Sequence, residues 1–399
     1  MSLSFFICLN CLGGFSVVAG GLLLLQSLLA SFGGIKAAVP MVGERPTVAV
    51  LIPAHNEEAG IARTVTSIVS QLASSDYVLV VADNCGDATA VIAAAAGARV
   101  SSRASEDSRG KGFALQHGMG IIAGDRRQVV VVVDADTIVM PGTINHLAAQ
   151  AILTGSPVQA INLLDAPAAA GLLSRVSAFA FLFKNFVRPL GFWRLGLPCQ
   201  LLGTGMAFPY ELLATAKLGT ADIVEDMGLG IDLAAAGRPA LLCPQARVVG
   251  ELPLGREASL KQRTRWEHGH LHTLVRRALP LAISGLRSRR LGTVLLALDL
   301  AVPPLAFLVV LQLGIVAVCI AAAMAGFGWV PVGVATAGCV ATVAAVMWGW
   351  VCFGRGVISL AELALVPIYV AWKLPLYFRF FGKRETKWVR TARQPAGPT

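Results

Sequence analysis

The chain has 399 residues, of which 55% are hydrophobic and only 14% charged, and its mean hydropathy is +0.68. A soluble domain carries about 25% charged residues, so a soluble two-domain enzyme is excluded, as are disordered, collagen-like and coiled-coil chains. The net charge of +10 suits basic loops that meet anionic lipid headgroups, and no Lys/Arg stripe interleaved with aromatics points to nucleic acid as a partner.

Residues Phe5 to Phe32 form an apolar run without a charge. A membrane span needs about 20 such residues. The competing reading is a signal peptide, but no basic segment precedes the run and no A-x-A cleavage site is evident. A retained transmembrane helix is expected over 1–34. Cys8 and Cys11 have C-x-x-C spacing without a second pair or a following His, so they read as helix residues rather than metal ligands.

From about 45 to 277 the pattern alternates between strand and helix. Thr47 to Ile52 is an apolar, β-branched strand. Glu57 to Leu72 is an amphipathic helix, with Ile61, Val65, Ile68, Val69 and Leu72 at helical spacing. Tyr77 to Ala82 is a second strand and Ala88 to Ala96 a second helix. Val129 to Val133 is five consecutive valines, a strand buried on both faces. This order predicts an α/β domain with a mainly parallel sheet and helices on both sides. Within it, 170–195 is either an interfacial helix, with Phe179, Phe181, Phe183 and Phe186, or an ordinary buried one.

After Arg290 the chain is apolar again, with spans expected at Pro303–Met324 and Trp329–Phe353 inside a membrane segment over 287–355. Arg276, Arg277, Arg287, Arg289 and Arg290 precede the first of these and Arg355 follows the second, which places the α/β domain on the cytoplasmic side. Residues 356–381 are apolar but interrupted by Glu362, Pro367, Lys373 and Pro375, so an interfacial or broken helix is expected, with the basic tail 382–399 in the cytosol.

In an open parallel sheet, ligands bind at the carboxyl ends of the strands. Here the first strand ends in Pro53-Ala54-His55-Asn56-Glu57, the second in Asp83-Asn84-Cys85, and the valine strand in Asp134-Ala135-Asp136. Two carboxylates spaced i, i+2 can flank one hard cation. Asp83 is placed to accept from a base or ribose. The cations of Arg109-Gly110-Lys111-Gly112 could reach a diphosphate, the bland reading being a solvated basic turn. Glu225-Asp226 and Gln262-Arg263-Thr264-Arg265-Trp266 follow; alone they would read as a helix cap and a membrane-interface anchor.

The ordered set resembles the membrane-integrated family 2 glycosyltransferases of GT-A (Rossmann-like) fold, in their cellulose synthase and poly-N-acetylglucosamine synthase-like branch. The resemblance covers about Val48 to Glu267 and implies a glycosyltransferase domain inserted between transmembrane helices. By resemblance, Pro53, Ala54, His55, Asn56, Glu57, Asp83, Lys111, Asp134, Ala135 and Asp136 would hold the nucleotide sugar, expected to be a UDP-sugar. Asp136, with Asp134, would hold Mg²⁺ or Mn²⁺. Asp226, beside Glu225, would be the general base. Gln262, Arg263, Arg265 and Trp266 would frame the diphosphate and acceptor, with Gly203 and Thr204 as an acceptor-side loop. Trp388, Val389, Thr391 and Arg393 are similar to the gating loop of cellulose synthases, the alternative being a basic tail on the membrane surface.

Two features depart from the family pattern. Met227-Gly228-Leu229-Gly230 replaces the usual residues after E-D, and His270 stands where the family carries Arg. Two or three C-terminal spans are few for a secreting channel. The resemblance thus implies an inverting, metal-dependent transfer of one sugar to a lipid-linked or glycan acceptor at a bacterial inner membrane, with membrane lipids and other polysaccharide-pathway proteins as partners. The alternatives are a processive β-polysaccharide synthase and a non-catalytic nucleotide-binding subunit.

Overall fold

The computed structural model describes residues 3–35, 44–165, 171–220, 224–251 and 256–370. Helix α1 (Leu3–Ser31) leads into an α/β unit. Its elements are β1 (Val48–Ala54), α2 (Ile61–Val69), β2 (Tyr77–Asp83), α3 (Thr89–Ala95), β3 (Arg99–Arg103), α4 (Lys111–Ile122), β4 (Val129–Val132), β5 (Thr137–Val139), α5 (Thr143–Thr154) and β6 (Val158–Asp165). Then α6 (Leu172–Leu182) passes through a π-helical turn, Phe183–Val187, into α7 (Arg188–Trp193). β7 (Met206–Pro209), α8 (Tyr210–Ala214), α9 (Glu225–Ala235) and β8 (Leu241–Glu251) complete the unit. A long helix α10 (Arg256–Arg287) leads to α11 (Leu291–Ala301), α12 (Leu305–Ala322), α13 (Val330–Gly349) and α14 (Leu360–Ala364).

Among the described residues eight strands form one sheet in the order β3-β2-β1-β4-β7-β6-β8-β5. Its first half, β3-β2-β1-β4, is parallel throughout; β7 enters antiparallel between β4 and β6, and β6 and β8 pair in parallel. The valines of β4 are at most 1% exposed because both faces are covered. On one face α4 packs Leu115, Met119 and Ile122 against Leu51, Val81 and Val130. On the other, Ile61, Val65 and Ile68 of α2 and Ile144 and Leu147 of α5 pack against Val50, Val80 and Val131. The order of strand addition reverses between the parallel neighbours β1 and β4, which opens a crevice at their carboxyl ends.

Local differences from the sequence reading have identifiable causes. The first strand extends two residues further, to Ala54, because its ladder with β2 continues to the Ala54/Ala82 pair. The helix expected from Glu57 begins at Ile61 and ends at Val69. Asn56 sits at φ +54 and the Glu57 amide donates to Thr89 Oγ1 at 2.7 Å, so residues 55–60 are held as a loop. The antiparallel strand β7 was not expected; Met206 to Pro209 is short and has no polar alternation.

Among the described residues three helical stretches, Ile7–Ser31, Leu305–Phe327 and Val330–Gly354, are long and apolar enough to cross a membrane. α1 and α13 pack in parallel. Gly13 lies beside Val334, Ser16 Oγ donates to the Ala335 carbonyl at 3.1 Å, and Trp348 Nε1 donates to Ser31 Oγ at 3.1 Å. α12 runs back antiparallel, with Ile315 and Cys319 against Leu9. The end of α1, the start of α12 and the end of α13 therefore share one side, where the α/β unit sits. α1 and α13 approach through Gly20 and Gly338: a Cβ at Gly338 would overlap Ser16, and one at Gly20 the Gly338 carbonyl. Gly338→Leu should lower the thermal unfolding midpoint in detergent by about 5 °C or more. Gly333→Leu, at a glycine with nothing within 4 Å of its Cβ position, should leave it within about 1 °C.

Within the 170–195 segment, residues 172–193 are helical and pack against the end of α13 and the turn after it. Phe179 and Phe183 are buried, and their rings lie where a Cβ at Gly354 and Gly349 would fall. Residues 356–370 form a broken helix: the Ser359–Glu362 capping box starts α14, which ends before Pro367. The tail residues Trp388, Val389, Thr391 and Arg393 lie outside the described residues.

Candidate active site

The strand-end loops are tied to one another before any ligand is considered. His55 Nδ1 donates to the Asp83 carbonyl at 2.7 Å, and the Gly86 amide donates to Asn56 Oδ1 at 2.7 Å. Asn56 thus serves the neighbouring loop, whereas Pro53, Ala54, His55 and Glu57 line a cavity. Asp83, 5% exposed, also lines it and accepts at Oδ1 from Arg103 (2.6 Å) and Asn84 (2.9 Å). That pair fixes the carboxylate's orientation before a base or ribose arrives.

The cavity holds about 1370 Å³ and runs along the crevice between β1 and β4. Small-molecule sites occupy roughly 300–1,000 Å³, so this one has room for a sugar nucleotide and a second substrate. Its centre is acidic: Asp134, Asp136, Glu225 and Asp226 all line it. The Asp134 amide donates to Thr204 Oγ1 at 3.0 Å, which ties the D-A-D turn to the loop before β7. Gly203 of that loop takes φ +86, and a Cβ there would lie 3.1 Å from Asp226 Oδ2. Glycine is required for the backbone angle and for the approach to the carboxylate.

Lys111 stands differently from the nucleotide contact expected of it. At the first position of α4, its Nζ donates to the Gly203 carbonyl at 2.6 Å and pairs with Asp134 Oδ1 at 2.7 Å and Glu225 Oε1 at 3.5 Å. Desolvation opposes its charge, but Asp134, Glu225 and Asp226 together hold its pKa above the usual lysine value. Burial also raises Asp134, against the pull of Lys111, and pushes Glu225 up to about 7. Arg109 of the same loop is exposed in the cavity wall, where an anion could reach it. Glu225 and Asp226 begin α9, where the helix dipole favours negative charge.

Arg265 and Trp266 of α10 reach the cavity, Trp266 with its ring centroid 5.7 Å from that of Phe181. The side chains of Gln262 and Arg263 lie outside the described residues. Among the described residues no group of three His, Cys, Asp or Glu side chains could hold a metal by itself. Asp134 and Asp136 are hard oxygen donors bracketing the buried Ala135. A site with one or two carboxylates fits Mg²⁺ or Mn²⁺ when substrate phosphates and water complete the shell.

Lys184, Asn185 and Arg188 also line the cavity. Periodicity did not single them out, although a Lys and an Arg inside the aromatic run Phe179 to Phe192 are a signal.

A family model described as "Glycosyltransferase like family 2" matches residues 46–269. The chain is 27% identical over 247 residues to "Probable glycosyltransferase YdaM" of Bacillus subtilis (strain 168); the match covers 58% of this chain and 57% of that protein. Among solved structures it is similar to the mannosyltransferase PcManGT from Pyrobaculum calidifontis, in complex with GDP-Man and Mn²⁺. That likeness has a TM-score of 0.49 at 17% identity and covers 94% of this chain and 95% of the other. It is also similar to glucosyl-3-phosphoglycerate synthase from Mycobacterium tuberculosis, in complex with Mn²⁺, UDP-Glc and phosphoglyceric acid, with a TM-score of 0.38 at 25% identity over 57% and 79% of the two chains.

Proposed function

Because the chain belongs to glycosyltransferase-like family 2, we propose that it moves one sugar from a nucleoside-diphosphate donor, with UDP the expected nucleotide, to a lipid-linked acceptor, inverting the anomeric carbon. The reading places the α/β domain on the cytoplasmic face of a bacterial inner membrane, in glycolipid or exopolysaccharide synthesis of the cellulose synthase-like branch. One observation carries it. The cavity that starts at the acidic strand ends continues without interruption to Leu23 of α1 and to Pro303, Pro304 and Leu305 at the start of α12. A water-soluble donor and a membrane-bound acceptor can therefore meet in one cleft.

A sugar hydroxyl is a poor nucleophile at neutral pH, so its proton must leave as its oxygen attacks. In the proposed reaction that proton passes to Asp226. The new bond forms from the acceptor oxygen to C1, and the bond from C1 to the diphosphate oxygen breaks, its electron pair leaving with the nucleotide. Glu225 is the poorer candidate, because its carboxylate is engaged by Lys111 at 3.5 Å. Asp134 and Asp136 would hold the divalent ion, which neutralises charge on the departing diphosphate. Arg109 and Arg265 add donors to that charge. Lys111 fastens the D-A-D turn to the start of α9, keeping Asp226 at a fixed distance from the donor.

The test uses the full chain in lipid nanodiscs, a panel of labelled UDP- and GDP-sugars, an inner-membrane lipid extract, and Mg²⁺ or Mn²⁺. Label should pass into one solvent-extractable lipid product, and chelation of the divalent ion should abolish transfer. A ladder of products would instead indicate a polymerising synthase. Failure of every donor to transfer or hydrolyse would leave only a nucleotide-binding subunit.

A further inference from the structure

We propose that Lys184, with Arg188 beside it, forms a binding subsite for an anionic phosphate or diphosphate group on the lipid acceptor. This deepens the transferase reading above and rests on it.

Lys184 and Asn185 lie on the π-helical turn Phe183–Val187, and Arg188 is the first residue of α7. π-helical turns inside α-helices are rare and concentrate at functional sites. Asn185 is 3% exposed and its Oδ1 has no hydrogen-bond partner. Arg188 is 5% exposed; its Nη2 donates to Asp299 Oδ1 at 2.7 Å and to the Asp299 carbonyl at 2.8 Å, while its Nε is buried without a partner. All three side chains line the cavity. Asn185 Oδ1 and Arg188 Nε are both closed off from solvent, so the group that offers the cavity an unpaired charge is Lys184, with Arg188 beside it.

Charge decides which kind of group. Asp299 also accepts from Gln26 (2.7 Å) and Gln200 (2.6 Å), so its carboxylate is fully engaged and offsets Arg188. Lys184 makes no hydrogen bond or ion pair with the described residues. The charged groups around it are Arg188, Asp226, Asp299 and Glu267. Burial, with Arg188 acting in the same direction, pushes its ammonium down to about 8. A cation left in that position is stabilised by an anion offering acceptor oxygens to Lys184.

Position decides which substrate. The donor's diphosphate belongs with Asp134, Asp136 and Arg109, at the strand ends. Lys184 lies within electrostatic reach of Asp226, and Phe183 and Val187 of the same π-helical turn share one core with Leu23 and Leu305 of two membrane-spanning stretches. A phosphate bound there would have its hydrocarbon directed at the membrane and the sugar it carries directed at the base.

The test measures binding to the full chain in detergent by native mass spectrometry. The probes are a polyprenyl diphosphate, a polyprenyl monophosphate, the unphosphorylated polyprenol and inorganic diphosphate. The wild type should bind one or both phosphorylated lipids about tenfold or more tightly than polyprenol and than inorganic diphosphate. Lys184→Gln should lose about tenfold of that affinity, the weight of one charge-assisted hydrogen bond, and Lys184→Arg should recover most of it. Equal binding of polyprenol and phosphorylated lipid by the wild type, or undiminished lipid binding by a folded Lys184→Gln, overturns the subsite. Inorganic diphosphate binding as tightly as the lipids overturns its lipid assignment. The wild-type comparison decides the matter even where Lys184→Gln does not fold. Nucleoside diphosphate binding is measured in parallel. Its loss in the wild type would count against the transferase reading itself, while its presence alongside failed lipid binding would remove the subsite alone.

Discussion

Asp226→Asn is expected to reduce sugar transfer by about 10²–10⁴-fold while nucleotide binding stays within about twofold of wild type. The amide keeps the shape of the side chain, so the approach of Gly203 to its Oδ2 position is preserved. What is lost is the capacity to take a proton. Glu225 precedes it but does not substitute, because its Oε1 is engaged by Lys111 at 3.5 Å. The checks are initial rates of transfer and equilibrium binding of the nucleotide. If the variant turns over like wild type, Asp226 is not the base and the proton must leave by another route.

Lys111→Met should be the most damaging change to stability among the site residues. It strands Asp134 and Glu225, which now share one ammonium at 2.7 and 3.5 Å. Removing one partner of a fully buried ion pair costs about 3–5 kcal/mol; these side chains keep 14–35% exposure, so the loss falls below that range. The sign of its pH dependence follows from Glu225. Its folded pKa of about 7 lies above its ordinary value, so the folded state retains a proton that the unfolded state releases, and its contribution to stability falls as pH rises towards 7. Without Lys111 both carboxyls rise further, and the window extends to higher pH. The loss in unfolding midpoint should therefore be smaller at about pH 5.5, where the carboxyls take up protons, than at about pH 8. A pH-independent loss would mean that Lys111 stabilises by packing alone.

Much of the site is readable because each acidic group follows directly from an apolar strand. Asp83 ends β2 and Asp134 follows the valines of β4, so the sheet alone delivers both to one crevice. Glu225 and Asp226 were readable as a pair but not as neighbours of Lys111, since that contact joins residues more than a hundred positions apart. The same holds for the membrane-side end. Gln26 and Asp299 meet across 273 positions, and neither has a local pattern that marks it. Asn56 shows the opposite case: its motif suggested a ligand contact, but its positive φ and its bond from Gly86 assign it to holding the loop. Helix ends were set by side chains elsewhere, as Thr89 does for the loop before α2.

The central claim is that a sugar nucleotide binds at the acidic strand ends of this cavity. Its most direct test is equilibrium binding of uridine and guanosine diphosphates, with and without Mn²⁺, to the wild type, Asp83→Asn and Asp136→Asn. The account predicts saturable, metal-dependent binding of one nucleotide, weakened by about tenfold or more in each variant. Binding of equal strength to all three proteins, or none to the wild type, would contradict it.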